Sequence, residues 1–281
     1  MSQQLRVVVL CSDEPHNVYL TLRIAEAFDL RAVVVEPGDA QVSRRLHRKQ
    51  YRDWLYLRYH GLRRQLLGLS AYRRTYFACP DPAPTIRHQI VDDVNAPEVV
   101  ALLERQRPDV TVVICTSVLR RKVLEAAGPV IINVHGGFLP HYKGNHCFFF
   151  ALLAGDFDRI GSTLHFIDSG VDTGNIIEQV RPPLVPDDNA ETLYCRAERL
   201  AIDRLIEHLK AYESGQPLPR RPQDKVGRQY LTRDRGPLDE LRMWWRRWSG
   251  QLVIPHRAAA GVAKACPPAR VIPPAFERPR P

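Results

Sequence analysis

Short β-branched runs separated by helix-length stretches constrain this chain most. LRVVVL (5–10) and RAVVV (31–35) flank a helical stretch around YLTLRIAEAF, giving strand, helix, strand. The alternation resumes with TIRHQIV as strand and APEVVALLERQ as helix, with Asn95 as its N-cap and Pro97 in its first turn. VTVVIC follows as strand, VLRRKVLEAA as a helix ended by Gly128, and VIINV as strand. Apolar runs without alternation suit strands covered on both faces, so the pattern predicts an α/β fold built on a mostly parallel twisted sheet with helices on both faces. CFFFALLAGD then reads as a buried helix, STLHFID and NIIEQV as two later strands, and NAETLYCRAERLAIDRLIEHLKAYESG as a long amphipathic helix.

Two segments stand outside this rhythm. Residues 41–77 carry ten arginines and lysines, from Arg44 to Arg74, against one acid, Asp53. Apolar residues recur there at roughly helical spacing, so one or two inserted helices are expected. Beyond Gly215 proline and arginine rise and periodicity weakens, apart from the amphipathic patch LDELRMWWRRW. The expected organisation is a catalytic domain over 1–214 and a partly disordered Pro/Arg-rich extension over 215–281.

With 281 residues and 44% hydrophobic content the chain can fill a real core. Its apolar runs are strand-sized, far short of the roughly 20 residues of a membrane helix. The apolar start sits on charged Arg6 and does not resemble a signal peptide, so the expected location is the cytoplasm. Six scattered cysteines without a CxxC pair fit reduced thiols better than a disulfide framework or a zinc site. A net charge of +9 permits contact with phosphates, nucleic acid or an anionic surface.

The candidate chemistry lies in IINVHGGFLPHYKGN (131–145) and DSGVDTGNII (168–177). Asn133 and His135 are two apart on a strand, so their side chains leave one face at its carboxyl end, where open α/β sheets bind ligands. Gly136 and Gly137 allow close approach to a bound molecule, and Pro140 with Gly144 fixes the loop. The second loop can push Asp172 toward the first, while Asp168 suits a turn former. Amide, imidazole and carboxylate make a proton-transfer and oxyanion-stabilising set without a nucleophile. His141 and His146 lack a third ligand at metal-binding spacing.

N-x-H, LPHYKG, and the strand GSTLHFID feeding D-x-G-x-D-x-G-x-I together resemble the folate-dependent formyltransferases, firmly over about 86–210. The group includes glycinamide ribonucleotide, methionyl-tRNA and nucleotide-sugar N-formyltransferases. The resemblance implies a Rossmann-like formyltransferase fold and transfer of a formyl group from 10-formyltetrahydrofolate to an amine. Asn133 and a protonated His135 would stabilise the developing oxyanion, and Asp172 would take the amine's proton. By position it implies folate contacts at Thr116, Ser117, Val118, Leu119, Val171 and Gly174, and a supporting role for His165. Tyr142 and Lys143, with Gly136 and Gly137, are expected to border the acceptor pocket.

The chain departs from the family in two places. CSDEPHN replaces the phosphate-binding glycine-serine-asparagine loop of the purine-pathway members, which argues against glycinamide ribonucleotide. The proline-rich region after Gly215 does not resemble the C-terminal β-barrel of the tRNA-formylating members, so no tRNA partner is expected. A small-molecule amine remains, an amino sugar on a nucleotide being the leading candidate. The rivals are a formyltetrahydrofolate hydrolase, against which the start on the first strand argues, and an inactive binding protein of the same fold. A dinucleotide enzyme is disfavoured because no GxGxxG follows the first strand. The insertion could contact a phosphate or an anionic surface, and the Trp244, Trp245 and Trp248 patch could be interfacial or a homodimer contact.

Overall fold

The computed structural model describes residues 4–78, 86, 88–168, 170–224 and 226–258. In chain order the elements are β1 (Arg6–Cys11), α1 (Pro15–Ala27), β2 (Asp29–Val35), α2 (Gly38–His47), α3 (Tyr51–Leu66), α4 (Leu69–Tyr76), β3 (His88–Ile90), α5 (Pro97–Gln106) and β4 (Val110–Ile114). They continue with α6 (Arg121–Ala126), β5 (Val130–His135), β6 (Tyr142–Gly144), α7 (Cys147–Ala154), β7 (Ser162–Phe166), β8 (Ile176–Val180), α8 (Ala190–Glu213), β9 (Arg228–Tyr230) and α9 (Pro237–Trp248).

Seven strands form one sheet in the order β3-β2-β1-β4-β5-β7-β8. The first five are parallel, and β7 and β8 run antiparallel at one edge. The period of two divides each strand between two apolar clusters. Val7, Val9, Val112 and Ile132 pack with Leu20 and Ile24 of α1 and Ile202 and Leu205 of α8. Val8, Leu10 and Val113 pack on the opposite face with Val99 and Leu103 of α5 and Val123 of α6. Helices therefore cover both faces, as the uninterrupted apolar strands predict. Asn133 and His135 follow Ile131 on the side of the second cluster, at the strand end where β5 runs into its loop.

Several local expectations are corrected. The insertion is three helices rather than one or two, broken where Lys49 and Gly68 adopt left-handed backbone, at φ 55 and 68. Of TIRHQIV only His88–Ile90 is strand, residues 85 and 87 lying outside the described set. Ala96, not Asn95, caps α5. Asn95 instead accepts from Arg120 N at 2.6 Å and donates to the Val118 carbonyl at 3.1 Å. These two bonds hold residues 118–120 in a loop, which is why α6 starts at Arg121 rather than Val118. Gly128 does follow α6 with φ 84, and Asn189 caps α8 through a capping box with Thr192.

Five of the insertion's ten basic groups, Arg44, Arg48, Arg63, Arg64 and Arg73, pair with acids elsewhere in the chain. Arg44 pairs with buried Glu36, Arg63 with Glu240, and Arg64 and Arg73 with Glu14. The extension also returns to the body. The backbones of Arg221 and Ile176 exchange both hydrogen bonds, and β9 pairs with β6. The expectation of a disordered end falls on 259–281, outside the described residues. Of the cysteines, Cys11, Cys147 and Cys195 are buried and free and Cys115 is exposed and free, while Cys79 and Cys266 lie outside the described set. No helix among the described residues is long and apolar enough to cross a membrane.

Candidate active site

Antiparallel pairing of β5 with β7 sets Asn133 opposite His165 and His135 opposite Thr163. Asn133 Nδ2 is 3.0 Å from His165 Nε2. Asp172, in left-handed backbone at φ 53, reaches in from the loop between β7 and β8. Its Oδ2 accepts from Gly144 N at 3.0 Å, which anchors the carboxylate to the loop after β5. Its Oδ1 lies 3.7 Å from His135 Nδ1 and 3.7 Å from His165 Nε2. The amide, two imidazoles and the carboxylate therefore meet at one point on the rim of the sheet.

Electrostatics fixes the states of two members. Burial works to raise the Asp172 pKa, but His135, His165, the Gly144 N–H and Lys143 more than offset it and hold the carboxyl below its ordinary value. Burial, and then the neighbouring His135, bring His165 down to about 4, so that ring is neutral at pH 7. His135 Nε2 lies 3.2 Å from the Tyr142 carbonyl oxygen, which only accepts, so this nitrogen is the donor and Nδ1 is left facing Asp172.

A cavity of ≈320 Å³ opens on this cluster, within the range of small-ligand sites. Asn133, His135, His165 and Asp172 line it, as do Thr116, Ser117, Val118, Leu119 and Val171. The expected folate contacts thus share the cavity with the expected catalytic residues, except Gly174, which does not line it. A Cβ at Gly174 would fall on the Phe166 carbonyl oxygen, so glycine there serves backbone packing.

Three of the acceptor residues are placed differently from expectation. Tyr142 is buried, donates to Asp156 Oδ2 at 3.0 Å and stacks on Tyr230, so its side chain leaves the site. Lys143 lines neither cavity bordering the 136–147 loop and acts on Asp172 through charge. Gly137 lines neither cavity, and a Cβ there would stand 2.6 Å from His135 Nε2 and 2.8 Å from Cys147 Sγ. It lets the loop fold tightly against the imidazole. Gly136 does line the cavity. Asp168 accepts from Gly170 N at 2.9 Å and Thr173 Oγ1 at 2.7 Å, shaping the turn that presents Asp172. His146 packs its ring on His60 at 4.3 Å, and among the described residues no three His, Cys, Asp or Glu side chains are grouped as metal ligands.

Other contributors escaped the sequence reading. Buried Glu36 accepts from Ser117 N at 2.7 Å, Val94 N at 3.1 Å and Arg44 at 2.6 Å, tying the 116–119 wall to the sheet and to α2. Gln223 Nε2 donates to the carbonyls of Asp172 and Gly174, at 3.2 and 2.6 Å, bracing the loop from the extension. Glu198, on α8, accepts from Ser162 at 2.6 Å beneath the site. Its signal was legible: a carboxylate within the apolar stripe Leu193, Ala197, Ala201, Ile202.

A family model described as formyl transferase matches residues 5–209. The methionyl-tRNA formyltransferase of Symbiobacterium thermophilum is 34% identical over 154 residues, covering 54% of this chain and 46% of the relative. That of Halorhodospira halophila is 37% identical over 136 residues, covering 47% and 43%. The chain thus spans about half the length of these curated relatives. Among solved structures, a sugar N-formyltransferase from a Shewanella species superposes with TM-score 0.55 at 14% identity, covering 92% of this chain and 99% of that one. Glycinamide ribonucleotide transformylase 1 from Symbiobacterium toebii gives 0.54 at 19% identity, covering 79% and 95%. At these identities the structures establish a shared fold, and the family match over most of the chain completes the assignment: this protein belongs to the formyl transferase family.

Proposed function

We propose that the protein transfers the formyl group of 10-formyltetrahydrofolate to a primary amine of a small molecule, with Asn133, His135 and Asp172 as catalytic residues. The observation that carries the reading is Asp172 Oδ1 standing 3.7 Å from both imidazoles, with the Asn133 amide beside them on one cavity wall. The donor's pterin end would lie against residues 116–119 and Val171. A neutral amine attacks the formyl carbon, and negative charge develops on the carbonyl oxygen. Asn133 and a doubly protonated His135, with one N–H on the Tyr142 carbonyl and the other at Nδ1, would donate to that oxygen. Removing one such donor typically costs ~10²- to 10³-fold in rate. Asp172, anchored at Oδ2 and open at Oδ1, would accept the proton shed by the amine. Return of that proton to N10 of the donor as its bond to the formyl carbon breaks then releases tetrahydrofolate and the formamide, with no covalent enzyme intermediate.

The choice of acceptor has two readings. The cavity that opens on the catalytic cluster, ≈320 Å³, is of small-ligand size, which favours a small amine. The sequence relatives, named as methionyl-tRNA formyltransferases, favour charged initiator tRNA. Tetrahydrofolate release measured with amino-sugar nucleotides, with methionyl-tRNA and with no amine separates these from a hydrolase. Amine-dependent release that falls ~10²-fold or more in Asp172→Asn is the expected result. Equal release without any amine would sink the transferase reading.

A further inference from the structure

Helix α9 turns its charged side to the protein and its apolar side to solvent. On the inner side Glu240 accepts from Arg235 at 2.7 Å and lies 3.3 Å from Arg63, Arg247 donates to the Asp188 carbonyl at 2.5 Å, and Arg246 donates to the Leu153 carbonyl. Met243 packs on the cluster that holds Phe148, Leu152, Leu252 and Ile254. The outer side carries Leu238, Leu241, Trp245 and Trp248, at spacings of three, four and three residues, with Trp244 beside them. Each of these five residues is at least 51% exposed. The indole rings pack on one another, Trp244 against Trp248 at 5.9 Å and Trp245 against Trp248 at 5.2 Å. A surface helix of a soluble domain has the opposite arrangement, because apolar area left in water forfeits its burial free energy.

Both ends of α9 are tied, so the apolar arc is a fixed feature of the surface. Gly236 N donates to Asp239 Oδ2 at 2.9 Å, Leu252 N donates to the Arg246 carbonyl at 2.9 Å, and the backbones of Arg257 and Leu184 exchange both hydrogen bonds. Helix α3 lies alongside. Its Arg63 reaches Glu240, and its Tyr56 hydroxyl stands 3.6 Å from where a Cβ would sit on Gly236, at the start of α9. It presents Tyr51, Leu55, Leu62 and Leu66, each at least 57% exposed. Arg52 and Arg58 of α3 are exposed as well, and neither pairs with a carboxylate among the described residues, whereas Arg63 and Arg64 do. On α9 the Arg242 side chain is 69% exposed, and Asp239, 3.6 Å from it, is engaged at the helix start. Cations therefore accompany both apolar stripes.

An exposed apolar arc rich in tryptophan and edged by arginine suits the boundary of an anionic bilayer, where indole rings lie at headgroup level and guanidiniums meet anionic headgroups. A second copy of this chain suits it less, because a two-fold contact sets the arginine-edged surface against itself in a protein of net charge +9. We infer that the protein docks peripherally on an anionic membrane surface through the outer side of α9, with α3 alongside. The contact stops at the headgroup and upper acyl region, roughly 5–10 Å deep, as for an interfacial helix.

Flotation of the full chain with vesicles of mixed phosphatidylglycerol and phosphatidylcholine, against vesicles of phosphatidylcholine alone, tests this docking. Wild type should float with the anionic vesicles, more weakly as salt is raised, and its tryptophan emission should shift to the blue. Replacing all three residues, Trp244→Ser, Trp245→Ser and Trp248→Ser, should weaken vesicle binding about tenfold or more. Arg52→Gln combined with Arg58→Gln should weaken binding to the anionic vesicles about fivefold or more. Leu238→Gln and Trp248→Ser, each alone at the two most exposed apolar positions of the helix, should also weaken binding and keep the test sound if the triple variant fails to fold. No flotation of wild type, equal flotation on both kinds of vesicle, or equal affinity in the folded tryptophan variants overturns the inference. So does a dimer in sedimentation velocity that the tryptophan variants dissociate while wild type leaves vesicles unbound, which would assign the arc to a second copy. Neither folate nor an amine enters these assays, so their failure is distinct from failure of the transferase reading.

Discussion

Asn133 and His165 face each other across the antiparallel pair at the sheet edge, amide Nδ2 to ring Nε2 at 3.0 Å. His165 Nδ1 lies 2.8 Å from the Phe166 carbonyl oxygen, an acceptor only, so Nδ1 carries the proton of the neutral ring and Nε2 accepts from the amide. One Asn133 N–H is thus committed to His165, and the amide is oriented with its second N–H free to act as a donor. On the proposed reading, His165 acts by positioning the Asn133 amide rather than by touching the reacting atoms.

His165→Ala should release that orientation. The expected result is a fall in kcat of ~10²-fold, comparable with loss of an oxyanion donor, with the KM for the formyl donor little changed. A purely structural role would instead lower the thermal midpoint and leave the kcat of the folded fraction intact, which steady-state kinetics on folded enzyme distinguishes.

Gly137→Ala addresses the other side of His135. The added Cβ would meet His135 Nε2, the Tyr142 carbonyl oxygen and Cys147 Sγ at 2.6, 2.7 and 2.8 Å. All three are held, two by burial and one by backbone, so the imidazole or its loop must move. A stability loss of about 1–3 kcal/mol is expected, with a kcat loss that persists at temperatures where the variant is fully folded. Urea titration and activity measured on one preparation check both parts.

The parallel strands and their helices were legible from local periodicity, and the convergence of residues 133, 135 and 172 from the two-residue spacing on one strand taken together with the family-like glycine-flanked loop that carries Asp172. What was not legible depends on pairings distant in sequence. The expected cap at Asn95 was drawn away to a loop 25 residues on, through its bond to Arg120 N. The arginines of the insertion looked unpaired because their acids, Glu14, Glu191 and Glu240, lie up to 177 residues away in the chain, as for Arg63 with Glu240. Tyr142 looked like a pocket residue from its loop, yet Asp156 and Tyr230 offered its hydroxyl and ring better partners inside.

Glu36 links the fold to the expected folate wall. It has no exposed surface and accepts from Arg44, Val94 N and Ser117 N. Glu36→Gln keeps the shape but loses the charge opposite Arg44 and turns one acceptor oxygen into a donor facing donors. Breaking a buried pair in this way costs about 3–5 kcal/mol. With the 116–119 wall loosened, the KM for the formyl donor should rise more than kcat falls. An unchanged KM in folded Glu36→Gln would show that the wall does not need this carboxylate.

Glu198 gives the protein a distinctive pH dependence of stability. Burial, with Ser162 the sole hydrogen-bond donor to the carboxyl among the described contacts and Oε2 left without a partner, raises its pKa to about 7. In the unfolded chain the group titrates near ~4.3. Between these values the folded state binds the proton that the unfolded state has lost, so stability falls as pH rises through this window and levels off above it. The fall should be roughly 2–4 kcal/mol at about 1.4 kcal/mol per pKa unit. Glu14 acts at the other end: Arg73 and Arg64 overcome its burial and hold it at about 2, so its contribution is full above ~4.3 and is lost as pH drops toward 2. His16, His60, His146 and His165, all held below the ordinary histidine value by burial, act in the opposite direction between pH 5 and pH 8, so Glu198 is read from the comparison of two proteins rather than from wild type alone. Urea unfolding of wild type and Glu198→Gln at pH 5 and pH 8, where Glu14 stays ionised, should show the variant, which cannot ionise, gaining roughly 2–4 kcal/mol relative to wild type on going to pH 8. An equal pH 5-to-8 change in both proteins would show that Glu198 contributes nothing to it.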